Sequence, residues 1–220
     1  MDEQTLASYD RQGAEYAREW REQPPPTDMY DLLSHYFKAG ATVDIGCGAG
    51  RDVAWLAANG YAAVGYEASE GLLQQGRAAY PNLQFGVATL PDLPELLPGS
   101  YENVLCETVI MHLPPDAIAP AVRNLLKLLR PSGTLYLSWR VTDGESIRDK
   151  NGRLYAAFEK QLVTNELGNE DVVLHDSEEI SLSSGRKLHR LIVRRGSTEG
   201  QQGDFRATTI PLTKRGGTVS

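Results

Sequence analysis

The chain has 220 residues, with 29 acidic and 22 basic side chains and a formal net charge of −7 at pH 7. This length suits one large domain with a sizeable core. The acidic balance argues against a general nucleic-acid binder, and no apolar stretch approaches the roughly 20 residues that a membrane span needs.

Other global features favour a reducing compartment and no metal site. The polar, acidic first residues do not match a signal peptide, so we expect a cytoplasmic protein. Cys47 and Cys106 fall in or beside apolar runs without metal-ligand spacing. We expect both to be buried free thiols.

Two helices are predicted before the first strand. Residues 4–22 place Tyr9 and Tyr16 among the larger side chains of one helical face. Three consecutive prolines then end this helix. A second amphipathic helix follows, and Thr27 or Asp28 is expected to cap it.

A strand, a glycine turn and a helix come next. The β-branched run at 43–45 leads into Gly46, Gly48 and Gly50, and residues 53–58 have the composition of a helix. Glycines allow a tight turn and the close approach of a ligand to the backbone. This unit predicts the start of a doubly wound α/β fold.

The spacing of this turn does not favour a dinucleotide. The Gly-x-Gly-x-x-Gly fingerprint would need a glycine where Arg51 stands. The acid before the turn, Asp44, would oppose an anionic pyrophosphate at the helix N-terminus. The turn therefore suits a ligand with a cationic end.

An acid also follows the second predicted strand. Glu67 lies 19 residues beyond Gly48, at the end of the strand at 61–66. A carboxylate at this position can accept both hydroxyls of a ribose. The alternative interpretation is a solvated acid at a strand end.

The rest of the chain alternates between the two kinds of element. Further strands are predicted at 83–87, 101–106, 134–139, 170–180 and 186–195, and helices at 70–80, from Asp116 to Leu129, and at 154–167. The segment 91–99 is predicted to be a loop. Residues 196–220 lack core-forming side chains and are predicted to be a flexible tail.

The Asp-x-Gly-x-Gly-x-Gly sequence at 44–50, together with Glu67, resembles motif I and its partner acid in the class I S-adenosylmethionine (SAM)-dependent methyltransferases. The similarity covers about residues 5–195. It implies a mostly parallel, doubly wound seven-stranded α/β sheet with helices on both faces and a C-terminal antiparallel strand pair. Residues 1–40 would form a cap over the cofactor and substrate, and residues 41–195 the SAM-binding domain.

The resemblance also implies which residues hold SAM. The methionine part would contact the turn, Glu67 would hold the ribose, Ala68 would flank the adenine, and Glu107 would begin the wall behind the sulfonium. The family usually carries an acid near the adenine amino group, but Thr89 and Leu90 stand there instead. The implied cofactor residues are Asp44, Gly46, Cys47, Gly48, Gly50, Glu67, Ala68, Thr89, Leu90, Glu107 and, on the amino-terminal helix, Tyr16.

Three residues are candidates for the acceptor side. His112, in the segment after the fourth strand, is the candidate general base, although it could equally be a packed loop histidine. Arg140 and Arg148, with Arg153 nearby, are candidate ligands of a carboxylate or phosphate on the acceptor. The alternative for these arginines is ordinary surface charge balanced by nearby acids.

The predicted function is in-line SN2 transfer of a methyl group from SAM to an unidentified small-molecule acceptor, yielding S-adenosylhomocysteine. Two alternatives stay open. One is an NAD(P)-dependent Rossmann oxidoreductase, and the other is a non-catalytic SAM-binding regulatory protein, since binding motifs alone do not establish turnover. The sequence carries no signal for an oligomeric state.

Overall fold

The computed structural model describes residues 1–197, so the predicted tail at 196–220 lies almost entirely outside them. A seven-stranded sheet runs through the middle of this part, in the order β3-β2-β1-β4-β5-β9-β8. The strands are β1 Ala41–Ile45, β2 Ala62–Glu67, β3 Gln84–Val87, β4 Tyr101–Cys106, β5 Leu129–Arg140, β6 Ile147–Arg148, β7 Leu154–Tyr155, β8 Val172–Ile180 and β9 Lys187–Arg194. Strands β6 and β7 form a separate small sheet.

Helices cover both faces of the large sheet. They are α1 Glu3–Glu22, α2 Thr27–Tyr36, α3 Arg51–Ala58, α4 Glu70–Ala79, α5 Pro115–Leu128 and α6 Gln161–Thr164, with a 3₁₀ turn at Ile110–His112. Over residues 1–197, no helix combines the length and apolar character needed to cross a membrane.

The sheet has the predicted topology. Strands β1 to β5 pair in parallel, whereas β9 pairs antiparallel with β5 and β8. The order reverses direction between β1 and β4, and this switch point is where open α/β sheets bind ligands. The predicted fold class is confirmed.

The core lies on both faces of the central strands because successive side chains alternate across a sheet. On β4, Val104 packs in the cluster that contains Leu125 of α5, whereas its neighbour Leu105 packs in the cluster that contains Leu33 of α2. Continuous burial along β4 is typical of a central parallel strand.

Helix α1 docks on the start of α4 through a backbone-to-backbone contact. A Cβ added to Gly13 would lie 2.6 Å from the carbonyl carbon of Gly71. Asp10 strengthens the contact, because its Oδ1 accepts hydrogen bonds from the Ser69 hydroxyl at 2.7 Å and from the Gly71 amide at 3.3 Å. Ser69 also caps α4 by accepting from the Leu72 amide.

The predicted helix at 154–167 is wrong over most of its length. Leu154 and Tyr155 form β7, and only the short helix α6 follows. The Leu154 amide donates to the Thr5 hydroxyl at 2.9 Å, and the Ala156 amide to the Met111 carbonyl at 2.8 Å. These tertiary hydrogen bonds outweigh a weak local preference for helix.

Two element ends also differ from the prediction. Neither Thr27 nor Asp28 caps α2, since Pro26 precedes its first residue and no side chain bonds there. Asp28 instead bonds to the buried Arg190 at 2.6 Å. Strand β5 begins at Leu129, earlier than the predicted start at residue 134, because Leu129 pairs with Tyr101 of β4. A register shift between Tyr101 and Asn103 separates this pair from the next one, Asn103 with Thr134.

We expect Gly13→Ala to destabilise the protein, although alanine favours a helix by up to about 1 kcal/mol. The added methyl group meets backbone atoms, and such overpacking costs roughly 1–3 kcal/mol. Urea denaturation measures the difference. The exposed Ala14→Gly variant is the control, with a loss limited to helix propensity. A Gly13→Ala variant more stable than the wild type would show that α1 is loosely docked.

Candidate functional site

A cavity of about 520 Å³ opens at the carboxyl ends of the central strands, beneath α1. Cys47 follows β1, Glu67 ends β2 and Glu107 follows β4, and all three border the cavity. Trp20 of α1 covers it from above. The cavity therefore lies at the switch point of the sheet.

The glycine turn forms the floor of this cavity. Gly46 and Gly48 have φ of 78° and 54°, which favours glycine. A Cβ on Gly46 would lie 2.3 Å from a methyl carbon of Val109, and one on Gly48 would lie 2.8 Å from the Trp20 ring. Gly50 immediately precedes α3. Both the backbone angles and the packing therefore require glycine in the turn.

Glu67 links the glycine turn to the end of β2. Its carboxylate accepts hydrogen bonds from the amides of Gly48 at 3.0 Å and of Ala68 and Ser69, each at 2.9 Å. Burial raises the pKa of Glu67 despite these donors. A carboxylate offers about four acceptor positions, so Glu67 keeps capacity for a ligand hydroxyl on the cavity side.

Acidic groups cluster at the strand ends beside the glycine turn. Asp44 is only 3% exposed at the end of β1 and lies behind the turn rather than on the cavity wall. Burial, and then the carboxylates of Asp52 and Glu67, raise its pKa well above the ordinary value. Burial likewise raises the pKa of Glu107, which accepts a hydrogen bond from the Ser138 hydroxyl. A cationic ligand would relieve this concentration of negative charge.

Asp52 already has partners within the protein. Arg51 donates to its two oxygens at 2.9 and 3.1 Å, and the Tyr30 hydroxyl donates at 2.8 Å. The residue that replaces the third glycine of a dinucleotide fingerprint is therefore held by a neighbouring acid. Arg51 and Asp52 together form one wall of the cavity.

The residues expected at the adenine lie just outside the cavity wall. Ala68 is partly buried, Thr89 is exposed and Leu90 is buried. The Leu90 carbonyl accepts a hydrogen bond from the amino group of Met1 at 2.5 Å, and Met1 itself borders the cavity. No pattern in the sequence predicted Met1 at the cavity.

His112 is 3% exposed and lies close to Met1, because the Asp2 amide donates to the His112 carbonyl at 3.1 Å. Its Nδ1 is 2.5 Å from the Leu154 carbonyl, and its Nε2 is 3.0 Å from the Tyr9 hydroxyl. Burial lowers the pKa of His112 to about 4, so the ring is neutral at pH 7. His112 and Tyr9 both border the cavity.

Tyr16 lies behind this wall rather than on it. Its hydroxyl accepts a hydrogen bond from the Asn151 amide at 2.8 Å, and its ring stacks on Trp20. The Arg153 guanidinium lies over the Tyr16 ring at 4.7 Å and is paired with Asp149 at 2.7 Å. Tyr16 thus joins α1 to the segment before β7.

The other two candidate arginines have different surroundings. Arg140 borders the cavity, and its guanidinium lies 4.9 Å from the centre of the Tyr155 ring. Arg148 is outside the cavity wall, and both of its terminal nitrogens donate to Asp2 at 2.8 Å. The structure therefore brings Arg140, but not Arg148, to the site.

Sequence reasoning assigned no site role to Tyr9, Trp20, Val109 or Met1. Their positions depend on how α1 and the turn after β4 pack across the strand ends. The aromatic face of α1 and the cap expected over residues 1–40 indicated that this helix covers the site, but not which of these side chains reach it.

The buried, neutral His112 predicts a pH-dependent stability. Between pH 6.5 and about 4 the unfolded chain binds a proton at this residue and the folded protein does not. The free energy of unfolding should therefore fall, as pH falls through this window, by about 1.4 kcal/mol per pH unit from His112. Denaturation of wild type and His112→Asn at several pH values isolates this contribution, because other groups titrate in both.

An equal slope for wild type and His112→Asn would contradict the assigned protonation state.

Comparison with known proteins agrees with this arrangement. Residues 42–133 match a family model described as a methyltransferase domain. A ubiquinone biosynthesis O-methyltransferase of Methylococcus capsulatus is 30% identical over 118 residues, which are 51% of this chain and 49% of that protein. The chain thus matches about half the length of this relative.

Solved structures share the fold. The Burkholderia thailandensis 1,6-didemethyltoxoflavin-N1-methyltransferase, solved with S-adenosylhomocysteine and 1,6-didemethyltoxoflavin bound, aligns with a TM-score of 0.68 at 16% identity over 87% of each chain. A SAM-dependent methyltransferase from Methanosarcina mazei aligns with a TM-score of 0.66 at 15% identity, over 77% of this chain and 99% of the other. Residues 42–133 therefore match a methyltransferase domain, and the seven-stranded sheet around them has the fold of these SAM-dependent methyltransferase structures.

Proposed function

We propose that this protein transfers a methyl group from SAM to a small-molecule acceptor in the cavity beneath α1. The observation that carries the proposal is Glu67, a buried carboxylate bonded to the amide of Gly48 in the glycine turn. In this proposal the Glu67 oxygens would bind the ribose, and the neighbouring glycine turn would let the ligand contact the backbone directly. The relatives named above act, by their names, on small molecules.

The cofactor residues follow from this placement. Gly46, Cys47 and Gly48 would contact the methionine part, while Asp44 and Gly50 shape the turn from behind. Glu67 would accept a hydrogen bond from a ribose hydroxyl. The proposed adenine contacts are Ala68, Thr89 and Leu90, reached beyond Glu67, with Glu107 on the wall behind the sulfur and Tyr16 supporting α1.

The charges of the site suit this cofactor. SAM supplies a methyl group on a positively charged sulfur, which is already a good electrophile. A cation beside Asp44, Glu67 and Glu107 would favour the ionised forms of these buried acids, and they would attract it in return. The remaining task of the protein is to hold the acceptor in line with the breaking bond, and orientation alone can supply much of the rate.

The acceptor side contains a cation with no carboxylate partner in the described part of the chain. Arg140 stacks on Tyr155 at the cavity wall, and no ion pair involves it within residues 1–197. We propose that it binds a carboxylate or phosphate of the acceptor, because guanidinium groups bind such anions bidentately. Arg148 is not part of this proposal, since Asp2 already holds it.

We also propose that the protein acts in the cytoplasm. The support is that Cys47 and Cys106 are buried free thiols, as a reducing compartment favours. Neither thiol has a role in the proposed reaction.

Calorimetric titration distinguishes this function from its alternatives. SAM and S-adenosylhomocysteine should bind, and NADH should not, because Asp44 and Arg51 do not suit a pyrophosphate at the turn. Binding of NADH alone would instead support an oxidoreductase. Tight SAM binding without methylation of any acceptor would support a regulatory protein.

Glu67→Gln should weaken S-adenosylhomocysteine binding by roughly 1.5–3 kcal/mol, because the neutral amide loses a charge-assisted hydrogen bond to the ribose. Glu178→Gln, on the exposed strand β8, is the matched control and should bind like the wild type. Unchanged affinity of the Glu67 variant, with a folded protein, would remove Glu67 from the site.

A further inference from the structure

Tyr9 and His112 form a hydrogen-bonded pair on the cavity wall. Resting on the proposed function, we infer that Tyr9 is a catalytic residue that takes the acceptor's proton while passing its own to His112, and that the acceptor is therefore methylated on an aromatic or enolic hydroxyl. His112 acts through Tyr9 rather than on the acceptor directly.

The hydrogen-bond partners fix the direction of this pair. The Leu154 carbonyl can only accept, so the Nδ1 of His112 carries the ring proton. In the neutral ring Nε2 is then an acceptor, and the Tyr9 hydroxyl must donate to it across 3.0 Å. The Tyr9 hydrogen thus points at His112, and the lone pairs of its oxygen are left to accept a hydrogen bond from a ligand.

Packing holds Tyr9 in this orientation. Its ring meets those of Tyr16 and Trp20 edge-on, at centroid distances of 5.2 and 6.1 Å. Burial raises the pKa of Tyr9, and the Arg153 guanidinium, 5.6 Å from the centre of the Tyr9 ring, offsets only part of this rise. Tyr9 is 8% exposed, so little water competes for its oxygen.

The charged groups near His112 lie on two segments of the chain. Asp2 approaches from the start of α1, while Asp149 and Arg153 lie on the segment before β7, where Tyr155 packs edge-on against the imidazole. Asp2 and Asp149 are each paired with an arginine. These ion pairs leave the ring in a nearly neutral setting.

The proton transfer balances. The acceptor oxygen forms a bond to the methyl carbon, the carbon–sulfur bond breaks, and its electron pair stays on sulfur. The acceptor proton moves to the Tyr9 oxygen as the Tyr9 proton moves to Nε2 of His112. One positive charge enters on the sulfonium and ends on the imidazolium, which returns its proton to water through Tyr9 after product leaves.

A weak base suffices for this step. An attacking hydroxyl becomes strongly acidic only as its oxygen bonds to carbon, so the proton needs a receiver late in the reaction. A buried imidazole stays unprotonated at neutral pH and is ready to receive it. An acceptor that is already ionised needs neither residue.

The test compares Tyr9→Phe with the wild type on two kinds of hydroxyl acceptor. A panel of phenols, catechols and enols is screened with methyl-labelled SAM, and acceptors ionised at the assay pH are compared with neutral ones. Tyr9→Phe should lower kcat by about 10²-fold or more on the neutral acceptors and by much less on the ionised ones. His112→Asn should show the same pattern.

Tyr36→Phe is the control, because the Tyr36 hydroxyl on α2 bonds to the Leu174 carbonyl and does not border the cavity. It should keep wild-type kcat on both kinds of acceptor. The affinity for S-adenosylhomocysteine is measured on every variant. A variant that binds it like the wild type is folded, and the binding tests the proposed cofactor separately from the proton transfer. Failure of the wild type to bind it would overturn the proposed function.

Three results would overturn the inference while S-adenosylhomocysteine still binds. One is undiminished kcat of Tyr9→Phe on neutral hydroxyls. Another is an equal loss on neutral and ionised acceptors. The third is methylation of amines or thiols with no turnover of any hydroxyl in the panel.

Discussion

The site depends on one buried carboxylate. Glu67 accepts three backbone N–H groups, one from the turn after β1 and two from the turn after β2. Without it, these buried donors would lose their partner, and an unsatisfied buried group costs about 1–3 kcal/mol. In the proposed function the same carboxylate binds the ribose, so one group would both shape the glycine turn and hold the cofactor.

The amino-terminal helix completes what the strand ends begin. Gly13 and Asp10 dock α1 on α4, and Trp20 then lies directly over Gly48. The same helix delivers Tyr9 to His112, which the turn after β4 supplies. Two requirements, covering the cavity and placing a polar group in it, are therefore met by one helix, and a change in its docking would affect both.

The sequence predicted the fold well because its signals were local and repeated. The glycine turn, the acid 19 residues later and the apolar strands each report on neighbouring residues, and the sheet order followed from the family resemblance. The predictions failed where residues distant in the chain determine the local structure. Residues 154–155 became a strand because Thr5 and Ile147 offer hydrogen bonds and pairing, and no local pattern encodes those partners.

The site was predicted unevenly for the same reason. The turn and Glu67 were identifiable, since spacing alone defines them. The pairing of His112 with Tyr9, 103 positions apart in the chain, was not. Arg140 and Arg148 looked equivalent in sequence, yet one stacks at the cavity wall and the other pairs with Asp2. Charge counts cannot separate a free arginine from one already neutralised in the fold.

A crystal structure of the complex with S-adenosylhomocysteine tests the central claim most directly. The account predicts a ribose hydroxyl within hydrogen-bond distance of the Glu67 carboxylate, about 2.5–3.0 Å, and the sulfur directed toward the wall formed by Tyr9 and His112. A ligand bound elsewhere, or one with its ribose turned away from Glu67, would contradict it.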